Sequence, residues 1–151
     1  MFPINVKASE QVAVLGVITP TSQGIGAAVS GWLPMVNYNK LLALVSVGAF
    51  GAAATVDANL QQATDNAGTG AKAFSPARAI VQALAAGGNN IQVELNLDAQ
   101  EFDVENNYQF VQLTLTVAAA ATLTSAVLLG FNPRNAPANA NNAASVTQIV
   151  G

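Results

Sequence analysis

The feature that most constrains this chain is the stretch from Asn106 to Pro133, which carries no charged side chain and reads "LTLTVAAAATLTSAVLLGFN" over 113–132. Its length suits a membrane-spanning helix, which needs about 20 apolar residues. The order of the residues argues otherwise. From Val111 to Val117 the apolar side chains fall on odd positions, with Gln112, Thr114 and Thr116 between them. After the small residues 118–121 the alternation resumes as Leu123, Ser125, Val127, Leu129 and Phe131. A period of two belongs to a strand with one buried face, and β-branched Thr and Val favour a pleated surface over a helix. The stretch therefore reads as two adjacent strands joined by a short connection, with threonines on one face and aliphatics on the other.

The same period recurs elsewhere. "NIQVELNLD" sends Ile91, Val93, Leu95 and Leu97 one way and Gln92, Glu94, Asn96 and Asp98 the other; Ala54 to Gln61 alternates in the same manner. "QVAVLGVI" (11–18) and "KLLALVSVGAF" (40–50) are apolar on both faces and read as buried strands. In "GIGAAVSGWLPMVNY" the glycines Gly24, Gly26 and Gly31 disfavour a helix, so an irregular extended strand is expected, with Trp32, Met35 and Tyr38 closing one end of the core. "ATDNAGTGAK" (63–72) is a turn-rich reversal. Residues 75–88 stay open: Ser75 as N-cap, Pro76 at the first turn and the Ile80/Leu84 spacing fit a helix, and the same residues fit a short strand. Seven or eight strands with regular turn signals predict an all-β fold, a single β-sandwich or jelly-roll-like domain over 11–138, with an N-terminal arm (1–10) and an extended C-terminal tail (139–151).

Composition narrows the function classes. The 151 residues are 52% hydrophobic and only 9% charged, and the mean hydropathy is +0.39. So few charges on so apolar a chain suit a subunit whose surface is covered by partners. The net charge is −3, and the five basic residues Lys7, Lys40, Lys72, Arg78 and Arg134 are scattered, without the clustered patch that nucleic acid requires. With neither Cys nor His, disulfides, thiol nucleophiles, imidazole bases and the common zinc sites are absent. Five carboxylates, Glu94, Asp98, Glu101, Asp103 and Glu105, lie close together, but their spacing matches no calcium loop, and a solvated acidic turn is the expectation. "GTGAK" (68–72) lacks the full phosphate-loop pattern. No cofactor, no catalytic constellation, no nucleic acid and no membrane are expected. The first residues, "MFPINVKASEQ", hold no signal-peptide pattern, so the expected site of synthesis and assembly is the cytoplasm.

Two segments carry a resemblance to a known family. "SGWLPMVNYNKLLALVSVGAFGAAATVDANLQQATDNAGTGAK" and "NLDAQEFDVENNYQFVQLTLTVAAAATLTSAVLLGFNPRNAPA" resemble the small β-sandwich head decoration, or cement, proteins encoded beside the major capsid protein in tailed phages and prophages. The likeness runs over about residues 11–138 and rests on the aromatic–x–x–Met–x–x–Tyr turn, the "VDANLQQATD" strand and the "VLLGFNPR" ending. It implies a virion protein on the capsid surface, assembled in a bacterial host, whose partners are the major capsid protein and further copies of itself. A homotrimer at local threefold positions is expected ahead of a dimer at twofolds. The expected interface residues are Phe2, Ile4 and Val6 of the arm and Val146, Ile149 and Val150 of the tail, since alternating apolar ends can add to a neighbour's sheet. A carbohydrate- or receptor-binding sandwich using Trp32, Tyr38 or Tyr108, or another head or tail part, is the alternative.

Overall fold

The computed structural model describes residues 5–151. Phe2 and Ile4 lie outside the described residues. A single helical turn, Ala8–Gln11, is held by Glu10, whose carboxylate accepts from the Lys7 backbone N–H at 2.8 Å. Ten strands follow: β1 (Val12–Gln23), β2 (Gly26–Val29), β3 (Leu33–Pro34), β4 (Tyr38–Val47), β5 (Thr55–Ala63), β6 (Lys72–Ala79), β7 (Ala83–Leu84), β8 (Ile91–Asp98), β9 (Phe110–Ala118) and β10 (Thr122–Pro133).

They form two antiparallel sheets. One has the order β1-β10-β4-β8; the other has β2-β9-β5-β6, with β3 on β9 and β7 on β5. The pairings β1 with β10, β2 with β9, β4 with β8 and β5 with β6 are those of one long hairpin, and its tip is the turn after β5. Such a hairpin wrapped into two facing sheets is a jelly roll. At the tip, Asp65 Oδ1 accepts from the backbone N–H groups of Ala67 and Thr69, which is the local bonding that Asp supplies to turns. Hydrogen bonding around Thr69 holds this carboxyl below the usual Asp range.

The two strands of the charge-free stretch are correctly placed but are not neighbours in one sheet. β9 lies in the second sheet and β10 in the first, and residues 119–121 carry the chain between them, with Ala119 in the left-handed region at φ 69°. The alternation of β9 holds: Val111, Leu113, Leu115 and Val117 are buried. In β10 the faces are reversed from expectation. Thr122, Thr124, Ala126, Leu128 and Gly130 point inward, while Leu123, Val127, Leu129 and Phe131 point outward. The reason is volume. At Gly130 the inward row has no room for a side chain, because the Tyr38 ring and Leu15 fill the space beneath it: a Cβ there would stand 2.9 Å from the ring and 2.8 Å from Leu15 Cδ1, whereas Leu128 on the same row fills the core.

Residues 75–88 are strand: β6 and β7, followed by a 3-10 turn at Ala85–Gly87. Met35 and Tyr38 do close one end of the core, at 3% and 1% exposure, while Trp32 is half-buried and its indole lies against Gly68. Burial raises the pKa of the Tyr38 hydroxyl, which donates to the carbonyl of Ala138 at 2.7 Å. That bond ties the start of the tail to the core, and Ala138 itself is fully buried. Tyr38→Phe, which removes the donor and keeps the ring, is expected to cost about 1 kcal/mol in urea unfolding and to speed amide exchange in the 3-10 turn Ala138–Asn141.

Candidate functional site

The carboxylates that could have carried chemistry are largely engaged in ion pairs. Lys40 pairs with Asp98 at 3.1 Å, Arg78 with Glu101 at 2.6 Å, and Lys72 with Asp103. Asp103 also accepts from the Asn106 side chain at 2.9 Å, and its backbone N–H donates to Gln62 at 3.0 Å. Lys72 lies 4.1 Å from the centre of the Tyr108 ring, and the Tyr108 hydroxyl donates to Gly70 at 2.8 Å. Together with the edge-on pair Phe74–Phe102, at 5.1 Å between ring centres, these contacts pin the β8–β9 connection over the end of the second sheet. The acidic segment thus serves as a clasp. Among the described residues no group of His, Cys, Asp or Glu is arranged to hold a metal ion.

The clasp titrates at both ends of the pH scale. The bonds from Lys72 and then Asn106 hold the Asp103 carboxyl below the usual Asp range, and the bond to Asp103 raises Lys72. The Asp103 contribution is complete above the unfolded Asp value of about 3.9 and is lost as pH falls through its lowered folded value. The Lys72 contribution is complete below the unfolded Lys value of about 10.4 and is lost as pH rises through its raised folded value. The melting temperature should therefore have a plateau between about pH 5 and 10. In Asp103→Asn the acid limb should be shallower; a limb of unchanged slope would assign acid sensitivity to other carboxylates.

The three aromatics of a would-be ligand platform are used internally. Tyr38 is buried, Trp32 lies against the tip of the long hairpin, and Tyr108 belongs to the clasp. The conspicuous surface is instead a sheet face. The second sheet turns Gln112, Thr114 and Thr116 of β9, and Thr55, Asp57, Asn59 and Gln61 of β5, to the outside. The first sheet turns out aliphatics. Its cross-strand rows run Val17–Val127–Leu44–Glu94, then Val14–Leu129–Leu42–Asn96, then Val12–Phe131–Lys40–Asp98. Each apolar side chain in these rows is partly exposed, and none belongs to the cluster that fills the space between the sheets. One sandwich therefore has one wet outer face and one apolar outer face with charge only toward its β8 side and its end.

The expected interface residues are less prominent than this face. Val6 and Val146 are half-buried, whereas Ile149 and Val150 are exposed at 52% and 84%. The two ends meet, since Lys7 Nζ donates to the Gly151 carbonyl at 2.7 Å. Between them the tail follows the edge of β1: Asn142 Oδ1 accepts from Val14 N–H at 2.9 Å, and Ala143 N–H donates to the Val14 carbonyl at 2.7 Å. The outward aliphatic rows escaped the sequence reading because β1 and β4, apolar on both sides, read as buried strands, and the alternating aliphatics of β10 read as its covered face. The available signal was that strands apolar on both faces coexist with strictly alternating ones, so the apolar ones can share a sheet with one face uncovered.

No protein-family model matches the sequence, and no curated protein matches it. Among solved structures the chain is similar to a subunit of the cowpea mosaic virus empty virus-like particle, at 10% identity over 89% of this chain and 87% of that one, with a TM-score of 0.46. It is similar to a chain of broad bean stain virus at 8% identity over 90% and 95%, TM-score 0.46. A chain of Triatoma virus matches at 9% identity over 91% and 72%, TM-score 0.45. The jelly roll itself rests on the strand order of this chain.

Proposed function

We propose that this chain is a structural virion protein of a bacteriophage that binds the outer surface of the capsid and cements neighbouring capsomers against internal DNA pressure. The observation that carries this reading is the outward apolar face of the β1-β10-β4-β8 sheet, two rows across β1, β10 and β4 and a third across β1 and β10, on a chain with 9% charged residues. Water-exposed aliphatics in that number and continuity belong to contact surfaces. The partner is the major capsid protein. Weak contacts repeated over a lattice act together, so modest affinity per copy suffices to brace a shell. The ends of the chain, Phe2, Ile4 and Val6 with Val146, Ile149 and Val150, are proposed as secondary contacts to adjoining copies, in a homotrimer or a dimer. The reading assigns no catalytic step and no cofactor.

The test is addition of the purified protein to capsids that lack it. Saturable binding in hundreds of copies per particle, with a higher rupture temperature or force, is the expected result. Absence of binding to such capsids overturns the proposal.

A further inference from the structure

Of the four sheet edges, three are blunted. The edge of β1 is capped at Val14 by Asn142 and Ala143, and two register shifts interrupt the rest of the strand. β2 is only four residues long, and β6 is broken by a register shift and contains Pro76. These are the devices by which folded proteins keep sheet edges from pairing with other chains. β8 has none of them. It is eight residues long, pairs with β4 in unbroken register and contains no Pro, Gly or Lys. Among the described residues its backbone makes no hydrogen bond other than those to β4. Beside this edge lies a cleft whose lining includes Ile80, Val81, Val93 and Leu95, with Val81 at 94% exposure.

We infer that β8 pairs antiparallel with β8 of a second copy, joining the two four-stranded sheets into one eight-stranded sheet about a twofold axis. The sequence of the strand selects the occupant and the register. Directly opposed residues in an antiparallel pair share a face, so only registers that match outward with outward residues are open. Centring the axis on Glu94 sets the two Glu94 carboxylates against each other, which is unfavourable. Centring it on Leu95 opposes Glu94 to Asn96 and Gln92 to Asp98, each twice, and aligns Val93 with Leu97 on the inner face. Every outward pair then joins a carboxylate to an amide, and the whole span 92–98 is paired. The cleft beside each edge is mixed, with Arg78, Glu94 and Asn96 among its lining, and its aliphatic members Ile80 and Val81 supply side-chain contacts beneath the new ladder. This pairing concerns a different surface from the outward aliphatic face, and it stands or falls without any capsid.

The test uses the full-length protein alone. Sedimentation analysis across a concentration series should show a monomer–dimer equilibrium, and amide exchange in 92–98 should slow as concentration rises. Asn96→Glu, at a solvent-facing position of the monomer, opposes two carboxylates twice and should weaken the dimer roughly tenfold. Adding Glu94→Asn to Asn96→Glu restores a carboxylate–amide pair in the same register and should recover the dimer. A monomer at all concentrations, a trimer, or a dimer indifferent to Asn96→Glu would each overturn the inference.

Discussion

Leu44→Asp combined with Val127→Asp is expected to abolish attachment to capsids while leaving the protein folded. Both residues lie on the outward face, paired across β4 and β10 in one row, so neither carboxylate enters the core of the monomer. Single outward substitutions usually change stability by less than about 0.5 kcal/mol, but here the two carboxylates oppose each other with Glu94 next in the row, so the variant should lose about 1–2 kcal/mol, or on the order of 5 °C in melting temperature, and remain folded. In the docked state the same carboxylates would be desolvated without partners, at a cost of roughly 3 kcal/mol or more, on the order of 100-fold in affinity per copy. Sedimentation of capsids with bound protein, beside a thermal melt of the free variant, measures both quantities. A folded variant that still saturates capsids would move the docking surface elsewhere, with the exposed tail residues Ile149 and Val150 next to be tested.

The opposite behaviour is expected of Leu113→Ala. Leu113 is 0% exposed, paired to Leu60 across β9 and β5, and lies in the cluster between the sheets. Truncating it removes buried methyl groups and leaves a cavity that both sheets border, at a cost of about 2–5 kcal/mol. The melting temperature should fall by on the order of 10 °C, with the urea midpoint reduced in proportion. A loss under about 1 kcal/mol would mean that the two sheets close over the vacated space, against the usual limited relaxation of a packed core. Together the two variants separate the faces of the sandwich: one acts chiefly on binding, the other on stability before binding.

Much of this arrangement is legible in the chain itself. The period-two alternations of 91–97 and 111–117 place Leu95, Leu97, Leu113 and Leu115 on buried faces, because a half-covered strand must alternate to keep one face in water. Absence of Cys and His removes whole classes of chemistry irrespective of folding. The turn at Asp65 follows from local bonding that needs no distant partner. For 75–88, local cues fit helix and strand alike, and pairing with β5 decides for strand: Asn59 opposes Ala79 and Val56 opposes Ala83. Distant pairing routinely outweighs a weak local preference.

Tertiary structure alone decided three further matters. Where both faces of a strand are apolar, as in β1, β4 and β10, periodicity carries no sign. Gly130 faces inward where Tyr38 and Leu15 leave no room for a side chain, and with the alternation of β10 fixed there, Val127 and Leu129 face out and create the apolar surface. The two halves of the charge-free stretch separate into opposite sheets, since each is claimed by partners far along the chain: β9 by β2 and β5, β10 by β1 and β4. The acidic segment becomes a clasp because folding brings Lys40, Lys72 and Arg78, distant in sequence, to Asp98, Asp103 and Glu101. Sequence by itself determined which residues alternate, which turns are cheap and which chemistries are impossible. The fold determined which apolar face is inside, because that choice depends on the volume left by residues that only the closed sandwich brings together.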